Sequence, residues 1–349
     1  MKGRVLLIAV LIIKYIGCSS ISNNVRDTEE RIHNCGSKAV KFLESAQMKD
    51  GAIRDPDNSI FNVWETVNAT LAISLWSDIT DLNAQKVIEK AIHFLTSSEN
   101  PDGMVLHNKN HHGSFCLETS SEYVCLLIRV YSATEPAINE KLKFIKNQQL
   151  LSGCWKIVSP IIPSNLQKFP SVTGFALKAL LKGGKMPKYY ESAMKFLSNS
   201  QNKDGHWGMV WQFYNTPFYA MAPILWVFDK SEEEYPDILK KAQKYLIESQ
   251  NDDGSWFYKP KDSSNAPSSE LQTALALQSC FSCGLGPKSR VVKRGIHYLL
   301  EKQTLDGYWD GGYFPCLGKL IPKKEDIYAT SQALIALHQY WILMEKISN

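Results

Sequence analysis

One corner recurs six times in this chain, and that recurrence limits the fold more than any other feature. Asp253-Gly254 ends a helix-like stretch and is followed by Trp256. Taking the turn glycine as the mark, Gly51, Gly103, Gly153, Gly205, Gly254 and Gly307 are separated by 52, 50, 52, 49 and 53 residues. An aromatic stands nine residues before each mark, as Phe42, Phe94, Phe144, Phe196, Tyr245 and Tyr298. Four residues before it come Gln47, Gln149, Gln201, Gln250 and Gln303, with Glu99 in the remaining unit. Two residues after it come Trp155, Trp207, Trp256 and Trp309 in the last four units, and Ile53 and Val105 in the first two. A period of about fifty residues held over six units marks a repeat architecture, because one such unit cannot bury its apolar face alone.

Each unit after about residue 30 has the same grammar. A helix with a charged face, such as Ala39 to Gln47 or Ile238 to Gln250, runs into the corner, and a loop leads to a second, far more apolar helix. The second helices are expected at Val63 to Trp76, Phe115 to Tyr131, Val172 to Leu181, Pro217 to Phe228, Leu271 to Cys283 and Ile327 to Trp341. Helices apolar nearly all round are buried. Six of them, each covered by an amphipathic partner, close most economically into a double ring: an all-α, single-domain α6/α6 toroid over residues 32–345. In such a ring the inner helices share one direction, so their N-termini surround one mouth of a central cavity. Polar residues collect at those ends, as Glu65 and Thr66, Glu118 and Thr119, Ser171 and Thr173, Asn215 and Thr216, Glu270 and Thr273, Asp326 and Thr330. Helix N-termini favour anions and carboxylates, so a functional mouth is expected there.

At the N-terminus, Lys2 and Arg4 precede the apolar run Val5 to Ile13, the length of a secretory h-region and too short to span a bilayer. Residues 1–20 are therefore read as a signal peptide or N-terminal anchor, and 21–31 as a linker. The protein is expected to be secreted or exported. Tyr15-Ile-Gly-Cys18 also resembles a bacterial lipoprotein cleavage box, which would leave the protein membrane-associated through its N-terminus. A net charge of +4, with lysines mixed among acids, describes a solvated surface and excludes a nucleic-acid stripe. Eight cysteines are scattered without a metal-type double pair, and Cys280-Phe-Ser-Cys283 ends an apolar helix, which suits core packing.

The corner resembles the QW repeat of the triterpene cyclase family, the squalene–hopene and oxidosqualene cyclases. Segments between the corners resemble the same family in the same order: Val63-Trp-Glu-Thr-Val67, Phe169-Pro-Ser-Val-Thr-Gly-Phe-Ala-Leu177, Ser269-Glu-Leu-Gln-Thr-Ala-Leu-Ala-Leu277, Arg294 to Gln303, Trp309, and Tyr313-Phe-Pro315. The resemblance spans about residues 32 to 341 and implies one α/α toroid of that family. It also implies a class II activity, in which an acid protonates an isoprenoid alkene or epoxide and starts cyclisation in the central cavity. No cofactor is implied. A hydrophobic isoprenoid-like small molecule is the partner implied, and the resembling cyclases dock on membranes, so peripheral membrane contact is implied as well. The family's acid is the middle aspartate of Asp-x-Asp-Asp. Here that segment reads Phe115-Cys-Leu-Glu-Thr-Ser120, with Leu117 at the acid's place and Glu118 the one carboxylate retained.

An alkene is a poor base, so its proton donor must stay protonated in an apolar cavity and have its conjugate base stabilised. Glu118 and Glu122 stand one helical turn apart, and two carboxylates that close raise one pKa. Glu118 and Glu122 are thus the candidate acids, with His111 and His112 upstream as hydrogen-bonding assistants. Glutamate beside threonine at a helix start is equally an ordinary capping arrangement. Candidate substrate contacts are Trp64, Glu65, Trp207, Trp211, Phe213, Tyr214, Phe218, Tyr219, Tyr313 and Phe314, since aromatic faces stabilise developing carbocations. The same aromatics also suit plain core filling. His107, His111, His112, Glu118 and Glu122 match no metal motif of fixed spacing, so no metal site is assigned. Two other readings stand beside the cyclase: an exported hydrophobic-ligand-binding toroid that has lost the acid, and, behind both, a metal-dependent hydrolase.

Overall fold

The computed structural model describes residues 28–56, 61–79, 84–110, 115–157, 168–208, 216–231, 235–258, 268–312, 314–316, 319–321 and 326–348. Helix α1 covers 28–45. The others are α2 (Asn62–Trp76), α3 (Gln85–Thr96), α4 (Leu117–Val130), α5 (Pro136–Asn147), α6 (Pro170–Lys182), α7 (Tyr190–Asn199), α8 (Pro217–Asp229), α9 (Pro236–Glu248), α10 (Ser269–Ser282), α11 (Arg290–Lys302) and α12 (Asp326–Ser348). The even-numbered helices pack in sequence, α2 on α4, α4 on α6, α6 on α8, α8 on α10 and α10 on α12, and α12 returns to α2. They form a closed inner ring. The odd-numbered helices lie outside it, and the contrast follows composition: α10 buries ten of its residues, whereas α9 buries only Ala242 and Leu246. Proline in the first turn starts α5, α6, α8 and α9, where its missing N–H has no intrahelical partner to lose.

The corner residues hold the two rings together. In the fourth unit the Gln201 amide donates to the Gly205 carbonyl at 2.9 Å and to the Ile238 carbonyl of the next outer helix at 3.0 Å. Gln47, Gln149 and Gln250 do the same to the first-turn regions of α3, α7 and α11. Gln303 closes the circle, donating to Gly307 at 2.9 Å and to Cys35 of α1 at 2.8 Å. Where the second unit has Glu99, Lys141 of the next outer helix takes over. It pairs with Glu99 at 2.8 Å and donates to the Gly103 carbonyl at 2.7 Å. Each corner tryptophan turns back on its own helix: the indole N–H groups of Trp155, Trp207, Trp256 and Trp309 donate to Ile145, Leu197, Leu246 and Leu299. Gly307 shows why the corner needs glycine, since its φ is +95° and an added Cβ would lie 2.6 Å from the Lys38 carbonyl oxygen. Gln303→Ala is expected to cost about 1–3 kcal/mol, because it orphans two carbonyls at the seam. Denaturant unfolding reads it, and a change indistinguishable from zero would deny the seam its role.

Three sequence expectations change. Residues 28–31, inside the segment read as a linker, are already helical and belong to α1. Helix α12 runs past Trp341 to Ser348, with no glycine or proline to stop it. The threonines expected at the mouth instead serve the wall. Thr66, Thr173, Thr273 and Thr330 accept the backbone N–H of Ile53, Trp155, Trp256 and Trp309, and Ser120 does so for Val105. Between α11 and α12 a short antiparallel ribbon pairs β1 (Phe314–Cys316) with β2 (Lys319–Ile321). Residues 1–27, with the expected signal peptide, lie outside the described residues. Among those described, no helix is long and apolar enough to cross a membrane.

Candidate active site

The inner ring encloses a chamber of about 260 Å³. Its deep end is aromatic. Trp64 of α2 meets Tyr328 at 5.5 Å, Phe175 at 6.1 Å and Tyr219 at 6.4 Å between ring centres, and Phe175 meets Tyr219 at 5.6 Å. Above this floor lies a polar waist. Gln332 donates to Asn68 at 2.8 Å, Gln278 donates to Gln332 at 2.9 Å, and Lys178 pairs with Glu122 at 2.8 Å. The rim is formed by Arg129, Lys182, Trp226 and Ser282 in the last turns of α4, α6, α8 and α10, with His338 from the middle of the longer α12. Floor residues are buried, whereas Arg129 and Lys182 are exposed, so the chamber opens at the helix C-termini. The sequence reading placed the mouth at the N-termini. Of the polar groups described at those N-termini, Thr66, Ser171, Thr173, Thr216, Thr273 and Thr330 are engaged within the wall, and the cations Arg129 and Lys182 stand at the C-terminal opening.

Glu118 sits beneath the floor. It lies in the first turn of α4, is 4% exposed, and takes the Ser171 hydroxyl at 2.7 Å on one oxygen and the Tyr219 hydroxyl at 3.2 Å on the other. Burial pushes its pKa up to about 7, against the two hydroxyls, which pull it down. It is therefore a carboxyl that holds its proton close to neutrality while carrying two donors for the anion left behind. Glu118 is not among the residues that line the chamber, and Tyr219, which does line it, connects the two.

Glu122 differs from expectation. It was paired with Glu118 as a like-charge neighbour, yet its partner is Lys178, and burial is what raises Glu118. Burial pulls the Lys178 pKa down, but the charge and hydrogen bond of Glu122, together with Cys125, outweigh it and the pKa is raised. Trp64 and Tyr219 do line the chamber. Trp207 does not: it is fully buried in its corner and stacks on Phe228. Phe218 faces Tyr245 of the outer ring, and Glu65 accepts the Asp55 N–H inside the wall. Phe218 is taken up by an outer-ring aromatic and Glu65 by a loop N–H, which places both in the wall. His111, His112, Trp211, Phe213, Tyr214 and Tyr313 lie outside the described residues, and Phe314 is described only as part of β1.

His107 receives two backbone N–H groups of α2 on its carbonyl and sets its ring against Phe61. Among the described residues no three His, Cys, Asp or Glu converge as a metal would need. Cys35, Cys116, Cys125, Cys154, Cys280 and Cys283 are unpaired thiols. The residues missed by sequence reasoning are Phe175 and Tyr328 of the floor and, on the waist and rim, Lys178, Lys182, Arg129, Gln278, Gln332 and Asn68. For the waist and rim, a charged or amide side chain on an otherwise apolar inner helix was the available signal.

The family model of the squalene-hopene cyclase C-terminal domain matches residues 170–341, the stretch from α6 into α12. Over that stretch the chain is similar to the squalene–hopene cyclases. Solved structures agree over nearly its whole length. A protein from Actinoplanes superposes with a TM-score of 0.72 at 16% identity, covering 89% of this chain and 99% of that one. A variant of the type II terpene cyclase MstE from Scytonema, in complex with geranylgeranyl dihydroxybenzoate, gives 0.68 at 14%, covering 91% and 99%. An inactive variant of the alpha-1,6-mannanase GH76A of Salegentibacter sp. HEL1_6, with alpha-1,6-mannotriose, gives 0.61 at 11%, covering 89% and 99%. No curated protein is a significant sequence match. Identities this low speak for the fold alone, and a mannanase on the same double ring shows that squalene–hopene cyclase-like architecture does not by itself select a substrate.

Proposed function

We propose that this squalene–hopene cyclase-like chain is a class II isoprenoid cyclase whose proton comes from Glu118. The observation that carries this reading is the Glu118, Ser171 and Tyr219 cluster, which sets a protonated carboxyl directly behind an aromatic cavity floor. The proton reaches the chamber through Tyr219. Protonated Glu118 donates to the Tyr219 oxygen as the phenolic proton passes to a terminal alkene carbon, whose π pair forms the new C–H bond. Glu118 becomes a carboxylate held by Ser171 and Tyr219, and the tertiary cation forms between Trp64, Phe175 and Tyr328. Aromatic faces are attracted to that charge, by about 0.5–2 kcal/mol each. Neighbouring double bonds then close rings on the cation until a proton is lost. The complex of MstE with geranylgeranyl dihydroxybenzoate supports an isoprenoid as the substrate class. An exported location, proposed from the N-terminal apolar run, suits an isoprenoid drawn from a membrane.

A carrier that encloses an isoprenoid-like ligand without converting it is the second reading. It is favoured by the absence of Glu118 from the chamber lining. Incubation of the purified full chain with geranylgeraniol and with squalene, followed by mass spectrometry, separates the two. Cyclised isomers support the cyclase; unchanged polyene that nonetheless binds supports the carrier; neither product nor binding removes both. Tyr219→Phe is expected to leave binding intact and to slow cyclisation about 10²-fold or more, the scale of a lost acid–base step. It should also raise the Glu118 pKa, because one donor to the anion is gone. Full turnover in that variant would exclude the relay.

A further inference from the structure

The geometry points to a ligand that enters through the C-terminal ends of the inner helices and leaves an anionic group at the rim: an apolar chain ending in a carboxylate or a phosphate. This rests on the reading of the chamber as the isoprenoid cavity, and adds its entrance and head-group recognition. On α6, Lys178 and Lys182 stand one turn apart; on the adjacent α4, Glu122 and Arg129 stand two turns apart. Four charged groups thus stand on one side of the ring.

Their partners differ. Lys178 is engaged by Glu122 at 2.8 Å, and Arg129 by Asp78 and the Ser74 carbonyl. Lys182 has no ion-pair partner among the described residues. Its ammonium lies 5.7 Å over the half-buried Trp226 ring at the chamber rim. A lysine resting on an indole keeps its other side open to an anion.

Helix C-termini themselves repel anions, and a cation in the last turn commonly answers that dipole. Were dipole compensation the whole reason, such cations would appear on the other inner helices too. Yet α2, α8 and α10 carry none in their last turns, and only the neighbours α4 and α6 place theirs on the rim. The lining also grades in charge along its depth, from the uncharged Trp64, Phe175 and Tyr328 floor through the amides and the Lys178–Glu122 pair to the rim cations, which stand beside Leu75 and Trp226. That gradient orients an amphiphile tail first. Gln339 adds an amide at the same end, with its side-chain oxygen buried and unpartnered; turned over, it offers N–H groups to the same anion.

The test uses three probes with one tail, farnesoic acid, farnesyl phosphate and farnesol, titrated against the full chain carrying Glu118→Gln so that binding is read without turnover. Tryptophan fluorescence or calorimetry supplies the affinities. At low salt at least one acid should bind about tenfold or more tighter than farnesol, and the preference should shrink as salt is raised. Lys182→Gln should erase it while leaving farnesol affinity unchanged. Which acid binds tighter distinguishes carboxylate from phosphate. Equal affinities for acid and alcohol, a preference that survives Lys182→Gln, or no binding by any probe would overturn the proposal. Cyclisation of a neutral polyene by the wild-type chain is scored separately, so a failure here leaves the cyclase reading standing, and the reverse holds too.

Discussion

Glu118→Gln is expected to reduce cyclisation about 10²–10⁴-fold, the usual contribution of a positioned general acid. The amide keeps the shape of the protonated carboxyl and can still meet Ser171 and Tyr219, so the fold should persist. The stability consequence has a definite sign. Glu118 holds its proton to about pH 7 when folded, against 4.5 ordinarily. The folded state therefore binds more protons than the unfolded chain between pH 4.5 and 7. Stability falls as pH rises across that window, and above pH 7 the ionised carboxylate costs up to about 3 kcal/mol relative to acid conditions. Glu118→Gln removes that slope, so the variant should be the more stable protein at pH 8.5. Denaturant unfolding at pH 4.5 and 8.5 reads the difference, and activity should fade as pH rises through 7. Undiminished turnover by the variant would displace Glu118 as the acid.

Trp309→Ala is expected to destabilise the chain by about 3–5 kcal/mol, the range for a large aromatic removed from a packed site. Trp309 is fully buried, its indole donates to Leu299 at 2.8 Å, and its backbone N–H is held by Thr330 at 3.1 Å. The truncation leaves a cavity between α11 and α12 and orphans a buried carbonyl. Leu305, four residues away and 95% exposed, is the control, and Leu305→Ala should stay within about 0.5 kcal/mol. Similar losses at both positions would mean that the corner tryptophans do not hold the units together.

The ring was legible because its signal is repeated. Gln201, Gly205 and Trp207 stand at the same spacing as Gln250, Gly254 and Trp256, and each set makes the same bonds; the register marks the repeat, and the contrast of charged-face and apolar helices marks outer from inner. The site was legible only in part. Glu118 is a lone acid at the start of an apolar helix, and its type and place marked it out. Its neighbours Ser171 and Tyr219 lie 53 and 101 residues away, and no local pattern announces such a meeting. Glu122 misled because one-turn spacing to Glu118 is visible along the chain, whereas the Lys178 that neutralises it comes from another helix. Trp207 and Phe218 misled for a related reason: aromatic identity says that a side chain is buried, and only packing tells wall from cavity.

The link from Gln303 to Cys35 joins residues 268 positions apart. An open array of repeats can grow from any point, each unit settling on the last. Here the first unit waits with one flank bare until the sixth arrives to cover it. That long-range contact bears a loop-closure entropy no local helix can offset early, so assembly of the circle should be slow and its final step all-or-none. A nascent chain of this kind is exposed to sticking to its neighbours for as long as its two ends have not met.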